Sequence, residues 1–267
     1  MREIAFYKFD GAGNDFVLVD IREQNPGLNK EDIERICHRR FGVGADGLMT
    51  LGRPENESCD FVMTYYNSDG RKASMCGNGG RCIAAFAHVL GVGSNENGKS
   101  GYDFMAFDGM HHAEILMWDK ESNMGLVKLG MREVSCNEVH RCLDGWFLDT
   151  GSPHYVVRVE DLEHYDVVGE GRRLRNMEKL FPEGTNVDFI EDRPDGRLFV
   201  RTYERGVEDE TWACGTGVTA SAIVSGNGRI VTLGGDFKVE FKATGDAYRD
   251  VFLTGPVSLN FKGMMRL

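Results

Sequence analysis

Residues 61–79 read FVMTYYNSDGRKASMCGNG, and residues 199–217 repeat the pattern as FVRTYERGVEDETWACGTG. Aligned without a gap at an offset of 138, the two stretches share seven identities in 19 positions. The identities fall at the strand-like start and at the Cys-Gly-x-Gly end, which chance similarity would not favour. The same offset places Gly13 on Gly151 and Asn14 opposite Ser152. A repeat of this kind indicates two homologous halves of similar architecture.

The hydrophobic pattern predicts similar elements in each half. Apolar residues alternate with polar ones, as in half-buried strands, over residues 16–20, 61–66, 155–160, 198–203 and 257–265. Small and apolar residues follow each Cys-Gly-x-Gly and end at Gly91 and Gly226, which predicts two buried helices wrapped by strands.

Two further helices are predicted from capping and composition. Asn29 is expected to cap a helix over residues 30–40, with Asp32 completing a capping box. Residues 169–181, GEGRRLRNMEKLF, are expected to form a more solvated helix that ends before Pro182. The final strand is compatible with a return to either half.

Net charge, apolar stretches and cysteine usage argue against several classes of protein. The formal net charge of −11 argues against nonspecific nucleic-acid binding, which depends on clustered Lys and Arg. The longest uncharged apolar stretch, residues 82–93, is well short of the ~20 residues that span a bilayer. Seven cysteines without a paired framework are typical of the cytoplasm, and no zinc-ligand spacing is present, so no metal is expected.

The duplicated cysteine has a chemical interpretation. Backbone N–H groups at a helix N-terminus favour an anion, and the same position is expected to lower the pKa of the Cys76 and Cys214 thiols. A substrate α-carboxylate bound there would place one thiol at each face of its α-carbon. One thiolate removing a proton while the opposite thiol supplies another would invert that stereocentre. The alternatives are two small buried side chains or a redox pair of thiols.

These features resemble the diaminopimelate epimerase family, cofactor-independent enzymes of lysine and peptidoglycan precursor synthesis, over essentially the whole chain. The matching motifs are GAGNDFVLVD (11–20), NSDGRKASMCGNGGRC (67–82), GSPHYVV (151–157), FPEGTNVDF (181–189), YERGVEDETWACGTG (203–217) and LTGP (253–256). The resemblance implies an α/β (α+β) fold of two pseudo-symmetric halves, each a barrel-like antiparallel or mixed sheet around a central helix. The expected halves are residues 1–115, joined by the strand 256–267, and residues 116–255.

The resemblance also implies roles for individual residues. Cys76 and Cys214 would be the acid/base thiols, with His154 paired with Cys76 and Glu204 paired with Cys214. The expected α-carboxylate ligands are the backbone N–H groups of Gly77, Asn78, Gly215 and Thr216. The expected contacts to the distal end of the substrate are Asn14, Asn67, Asn186, Glu204 and Arg205. No cofactor, nucleic acid or membrane is implied, and the family suggests a homodimer.

Three positions depart from the family pattern. Ser152 stands where many members have Asn, Gly47 stands where some have Gln, and the segment 204–214 is one residue longer than the common form. The leading hypothesis is epimerisation of LL-2,6-diaminopimelate to the meso form. The alternatives are a related racemase or isomerase acting on another amino acid, and a thiol-redox or nonenzymatic amino-acid-binding protein.

Overall fold

The computed structural model describes residues 2–54, 57–93 and 99–267. The strands are β1 (Glu3–Gly11), β2 (Asn14–Asp20), β3 (Gly47–Gly52), β4 (Phe61–Asn67), β5 (Lys72–Ala73), β6 (Gly101–Ala106), β7 (Gly109–Asp119), β8 (Met124–Gly130), β9 (Val134–Ser135), β10 (His140–Cys142), β11 (Gly145–Asp149), β12 (Pro153–Arg158), β13 (Asn186–Asp192), β14 (Leu198–Glu204), β15 (Asp209–Thr211), β16 (Arg229–Thr232), β17 (Gly235–Ala243) and β18 (Ala247–Arg266). The α-helices are α1 (Lys30–Cys37), α2 (Gly77–Val89), α3 (Val167–Arg175) and α4 (Gly215–Ser225). Single 3-10 turns lie at Cys136–Glu138 and Leu162–His164.

The chain divides into two units. The first unit comprises Met1–Leu129 with Pro256–Leu267, and the second comprises Gly130–Gly255. The boundary follows Leu129 rather than residue 115 because β7 and β8 pair as a hairpin that a cut after residue 115 would split. The end of β18 pairs antiparallel with β1, which brings the C-terminal strand into the first unit.

Both units use the same order of strand pairing. In the first unit, β1–β2 is antiparallel, β2–β3 parallel, β3–β4 antiparallel, β4–β6 parallel and β6–β7 antiparallel. In the second unit the same sequence of pairings runs from β11 to β17. In the first unit, the Leu259 N–H donates to the Asn123 carbonyl at 2.9 Å and links the last strand to the start of β8. The mixed sheet therefore closes into a barrel, and the predicted α+β fold class is confirmed.

One central helix lies in each unit. Residues 77–87 of α2 are all buried, and most of α4 is buried as well. Gly91 and Gly226, which follow these helices, have φ of 67° and 72°, in the left-handed region that glycine adopts without strain. The two helices predicted after the cysteines are confirmed. Each is enclosed by strands because most of its side chains are apolar or small, with Arg81 as the buried charged exception in α2.

The register of the sequence repeat is corrected by the strand pairing. Strands β4 and β14 begin at residues 61 and 198, so their offset is one residue less than the offset between Cys76 and Cys214. Phe61 pairs with Phe104 in β6, and Leu198 pairs with Ile230 in the corresponding strand β16. The gap-free alignment was therefore wrong by one position in these strands. The extra residue of the second unit lies in the turn between β14 and β15.

The other predicted elements differ mainly at their ends. The Asn29 capping box is confirmed, and α1 ends at Cys37 rather than at residue 40. Helix α3 begins at Val167, because the Asp166 side chain accepts a hydrogen bond from the Gly169 N–H and caps the helix earlier than predicted. It ends at Arg175 instead of residue 181. No helix among the described residues is long and apolar enough to cross a membrane.

Candidate active site

Cys76 is the residue immediately before α2 and caps its first turn. Its Sγ accepts a hydrogen bond from the Gly79 N–H at 3.2 Å, and its carbonyl accepts from the Gly80 N–H at 2.8 Å. The N–H groups of Gly77 and Asn78 belong to the first turn, where no carbonyl of the same helix precedes them. The start of α2 therefore combines a thiol with backbone donors suited to an anion.

Apolar side chains lie against this first turn. A Cβ atom built on Gly79 would lie 3.2 Å from Cys76 Sγ, 3.3 Å from Met49 Sδ and 3.7 Å from Phe16 Cζ. Phe16 and Met49 are both fully buried. The glycine thus allows close approach of the helix to these side chains, and a larger residue would require the two sulfur atoms to shift slightly.

Arg81 is a fully buried cation in the same helix. Its guanidinium donates to the Gly77 carbonyl at 3.1 Å and to Asn78 Oδ1 at 3.0 Å. Burial lowers the pKa of Arg81 to about 10. Asn78 Oδ1 therefore serves as an acceptor for Arg81, and the Asn78 group predicted from the sequence to bind the substrate is its backbone N–H.

Cys214 stands at the equivalent position before α4. Its Sγ lies 3.4 Å from Thr216 Oγ1, and the residue is buried. Burial raises the pKa of the Cys214 thiol well above its usual range, and the negative charges of Glu204 and Asp188 raise it further. The hydroxyl of Thr216 and the N–H of Gly217 act in the opposite direction. The pKa lowering expected from the helix N-terminus is therefore wrong for this thiol, because burial and the two carboxylates outweigh it.

His154 and Asp188 form a fully buried pair beside the first turn of α4. The Nδ1 atom of His154 lies 2.6 Å from Asp188 Oδ2, and both side chains have 0% exposure. The Nε2 atom of His154 lies 2.9 Å from Thr216 Oγ1 and 3.0 Å from Ser152 Oγ. His154 thus contacts the turn that carries Cys214, while its pairing with Cys76 stays a prediction.

Asn186 holds the backbone at Arg205. Its Oδ1 accepts from the Arg205 N–H at 2.8 Å, and its Nδ2 donates to the Pro153 carbonyl at 3.0 Å. The Arg205 guanidinium uses Nη1 to contact the Glu183 carbonyl at 3.1 Å. Among the described residues, Nε and Nη2 of Arg205 make no hydrogen bond, and the contacts of Nη1 hold the guanidinium in place, an arrangement suited to binding a carboxylate.

The remaining predicted contacts lie in the first unit. The Asn14 side chain donates to Asp46 Oδ2 at 2.6 Å, and Asn67 is exposed at the end of β4. A Cβ on Gly47 would lie 2.5 Å from Tyr65 Cε2 and 2.6 Å from the Tyr66 carbonyl oxygen, so β4 excludes any larger residue at this position. Gly47 is therefore explained by residues of the neighbouring strand, and a glutamine could not replace it without moving the Tyr65 ring and the β4 backbone.

Sequence reasoning missed Asp188, Thr202 and Arg81. Asp188 also accepts a hydrogen bond from Thr202 Oγ1 at 2.7 Å, which satisfies its second oxygen. A carboxylate between the apolar residues Val187 and Phe189 of β13 was a usable signal, because a buried charge in a strand needs a partner. Among the described residues, no group of three His, Cys, Asp or Glu side chains is arranged to hold a metal ion.

The sequence comparisons agree with one another. The family model described as diaminopimelate epimerase matches residues 6–99 and 146–260. A diaminopimelate epimerase from Flavobacterium psychrophilum is 41% identical, with 96% of this chain and 98% of that protein covered. Proteins of the same name from Chlorobaculum tepidum and Aquifex aeolicus are 40% and 38% identical, with 96% and 97% of this chain and 99% and 97% of those proteins covered, respectively.

Solved structures with the same fold are more distant in sequence. A phenazine biosynthesis protein from Bacillus anthracis has a TM-score of 0.71 at 15% identity, with 100% of both chains covered. A probable proline racemase from Agrobacterium radiobacter has a TM-score of 0.69 at 15% identity, with 99% of this chain and 92% of that chain covered. These structures support the fold alone. The family match and the full-length relatives together establish that this chain belongs to the diaminopimelate epimerase family.

Proposed function

We propose that this protein is an isomerase that converts LL-2,6-diaminopimelate to meso-2,6-diaminopimelate without pyridoxal phosphate, in lysine and peptidoglycan precursor synthesis. The observation that carries the proposal is a thiol at the start of a buried helix in each of two units with the same strand order. Family membership supports the substrate, because the relatives that cover nearly the whole chain have that name.

The α-carboxylate of the substrate binds the N–H groups of Gly77, Asn78, Gly215 and Thr216. These groups lie in the first turns of α2 and α4, where no earlier carbonyl of the same helix stands four residues before them. The partial positive charge of a helix N-terminus favours an anion at this position. Binding the carboxylate there brings the adjacent α-carbon next to a cysteine.

Cys76 and Cys214 perform the acid/base chemistry. A thiolate removes the α-proton from one face, and the thiol of the other cysteine delivers a proton to the opposite face. A single base would return the proton to the face that it left, so inversion requires both groups. His154 and Glu204 influence the pKa values of the two thiols. The negative charge of Glu204, which raises the pKa of the Cys214 thiol, supports its part of this role.

Asn14, Asn67, Asn186, Glu204 and Arg205 bind the distal amino-acid end. The guanidinium of Arg205 binds the distal carboxylate, and the carboxylate of Glu204 lies near the distal ammonium. Support comes from the Asn186 side chain, which holds the Arg205 backbone in place. A charged distal end distinguishes diaminopimelate from proline, for which a smaller and more apolar site is expected.

We also propose a cytoplasmic location and a homodimeric assembly. Seven cysteines without a paired spacing favour a reducing compartment. Analytical ultracentrifugation of the purified protein tests the assembly, and a single monomeric species at assay concentration contradicts it.

The function is tested by proton NMR of LL-diaminopimelate with purified protein in D₂O, without added pyridoxal phosphate. We expect the meso isomer to form and the α-hydrogen to be replaced by deuterium. L-Proline in a parallel sample tests the related racemase activity, and we expect no exchange. Failure to exchange the diaminopimelate α-hydrogen rejects the proposal, and exchange of proline alone would favour the racemase alternative.

A further inference from the structure

The buried His154–Asp188 pair belongs to a longer hydrogen-bonded chain that ends at Cys214. Asp188 accepts from Thr202 Oγ1 through Oδ1 and contacts His154 Nδ1 through Oδ2. On the other side of the imidazole, the hydroxyls of Ser152 and Thr216 lie within 3.0 Å of Nε2 and of each other. Thr216 Oγ1 also contacts Cys214 Sγ.

The donors and acceptors in this series of hydrogen bonds can be assigned by starting from the groups at its ends. The Asn186 amide is fixed because its Oδ1 accepts from the Arg205 N–H, so its Nδ2 donates to Ser152 Oγ at 3.2 Å. A carboxylate only accepts, and Asp188 therefore places the imidazole proton on Nδ1 of His154. In the neutral imidazole with this proton, the Nε2 atom is an acceptor that faces two hydroxyl groups.

With Nε2 as acceptor, both protonation states of Cys214 are satisfied without any heavy atom moving. The Cys214 thiol donates to Thr216 Oγ1 while Thr216 donates to Nε2. The thiolate instead accepts from the Thr216 hydroxyl while Ser152 donates to Nε2. A group that acts as acid and base is present as both thiol and thiolate during each turnover. A neighbour that can hydrogen-bond to both forms is therefore useful for catalysis.

The other unit shows that the fold does not require this polar chain. In the first unit, Phe16 of β2 pairs with Gly47 of β3. In the second unit, His154 of β12 occupies the position of Phe16 and pairs with Asn186 of β13. Two residues after Gly47 in β3 is Met49, and two residues after Asn186 in β13 is Asp188. Phe16 and Met49 pack against the first turn of α2 as an apolar pair.

We propose that Asp188 is a positioning residue, which acts through His154, Ser152 and Thr216 to let Cys214 exchange a proton. Asp188 does this by holding the His154 proton on Nδ1. The role rests on the proposed two-thiol reaction and adds to it a residue to which the family resemblance assigned no role. It also explains Ser152, whose short hydroxyl reaches both Nε2 and Thr216.

The first test is nitrogen-15 NMR of the histidine side chains of the wild-type protein, with His154 assigned by the signal that disappears in His154→Gln. We expect a proton on Nδ1 and none on Nε2. This measurement does not depend on activity, so it remains decisive if the diaminopimelate assay fails. A proton on Nε2, in the other tautomer or in the imidazolium cation, overturns the proposal.

Two substitutions of Asp188 distinguish the effect of its hydrogen-bond acceptor from the effect of its negative charge. In Asp188→Ala the Nδ1 proton has no acceptor, so we expect the proton to move to Nε2 and kcat to fall about 10- to 100-fold. In Asp188→Asn the amide oxygen can accept from Nδ1 while the amide nitrogen donates to Thr202 Oγ1, so we expect the wild-type tautomer and most of the activity. An alanine variant with wild-type tautomer and kcat, or an asparagine variant that keeps the tautomer but loses activity, contradicts the proposal.

A double variant distinguishes action through Thr216 from a purely structural effect. Thr216→Val keeps the side-chain shape and removes the hydroxyl. We expect Asp188→Ala combined with Thr216→Val to be no slower than Thr216→Val alone, because both substitutions break the same chain. If the two losses in kcat multiply, Asp188 acts on folding or packing and the proposal fails. Circular dichroism and urea unfolding of each variant identify any that are not folded.

Discussion

Helices α2 and α4 both begin directly after a cysteine, yet the side chains packed against their first turns differ in polarity. Phe16 and Met49 lie near Gly79 in the first unit. In the second unit, His154 and Asp188 lie against Gly217, the counterpart of Gly79. The same backbone arrangement therefore carries one thiol on an apolar surface and the other beside a buried polar pair.

A second difference lies one turn further along each helix. Arg81 donates to the Gly77 carbonyl, and Thr219 donates to the Gly215 carbonyl at 2.9 Å. Both side chains bond the carbonyl four residues earlier, but one is a buried cation and the other is neutral. Duplication of a fold thus preserved the backbone donors, while the substituted side chains changed the electrostatic surroundings of the two thiols.

Removing either thiol is the strongest test of their equivalence in the reaction. We expect Cys76→Ala and Cys214→Ala each to reduce epimerisation by at least about 100-fold, the lower range for loss of a general acid or base. Conversion of LL-diaminopimelate measured by chiral chromatography gives the result. Cys136→Ala, in a short 3-10 turn, is the matched control and should retain activity. Wild-type turnover in either active-site variant would end the two-thiol assignment.

Arg205 tests whether distal recognition depends on the second unit. We expect Arg205→Met to raise KM strongly and to lower kcat, with a loss of about 10- to 100-fold in kcat/KM for a charge-assisted pair. Steady-state kinetics should also show weaker discrimination against analogues that lack the distal carboxylate. Arg197→Met, which removes surface ion pairs with Asp195 and Asp236, is the control. Full preference for the distal carboxylate in Arg205→Met contradicts the assignment.

The glycines in the two first turns test the packing difference directly. A Cβ on Gly217 would overlap Asp188 Oδ1, whereas a Cβ on Gly79 would meet Cys76 Sγ and Met49 Sδ at 3.2 and 3.3 Å. We expect Gly217→Ala to lower the free energy of unfolding by about 1–3 kcal/mol, because the buried carboxylate must move. Gly79→Ala should cost less, since flexible sulfur atoms can yield. Urea unfolding measures both, and equal losses would argue against the difference.

The smallest expected effect concerns the charge beside Cys214. Because the thiolate is negative, the carboxylate of Glu204 raises the pKa of the Cys214 thiol. Glu204→Gln should therefore lower this pKa and increase alkylation of Cys214 at a fixed pH below it. Peptide-resolved mass spectrometry after iodoacetamide treatment over a pH series gives the profile. Glu160→Gln, at an exposed position, should leave the profile unchanged, and no shift in Glu204→Gln would show that the charge is screened.

Much of the fold could be read from local patterns. The Asn29 capping box, the glycines that end α2 and α4, and the alternation in β4 and β14 depend on neighbours within a few residues. The register between the repeats was wrong because an extra residue in a turn does not change the alternation of the strand before it. The early start of α3 depended on which acidic side chain became its cap.

Only part of the candidate site could be predicted from the sequence. The cysteines, the following glycines and Arg205 stand in motifs and were named from the sequence. Asp188 also stands in a motif, but neither Asp188 nor Thr202 was given a role, because their importance arises from pairing between β13 and β14, where they stand opposite each other. Gly47 is explained by Tyr65, which stands two residues before its partner Asn67 across β3 and β4.

By itself, the sequence determined that the chain has two related halves, each with a cysteine at the start of a buried helix. These features are local in sequence, since helix caps, strand alternation and glycine positions act over a few residues. Only the tertiary structure decided the environment of each thiol. The carboxylates near Cys214 and the hydrogen-bond partners of His154 come from several strands. Burial and the two carboxylates raise the pKa of the Cys214 thiol, which the helix terminus alone would lower.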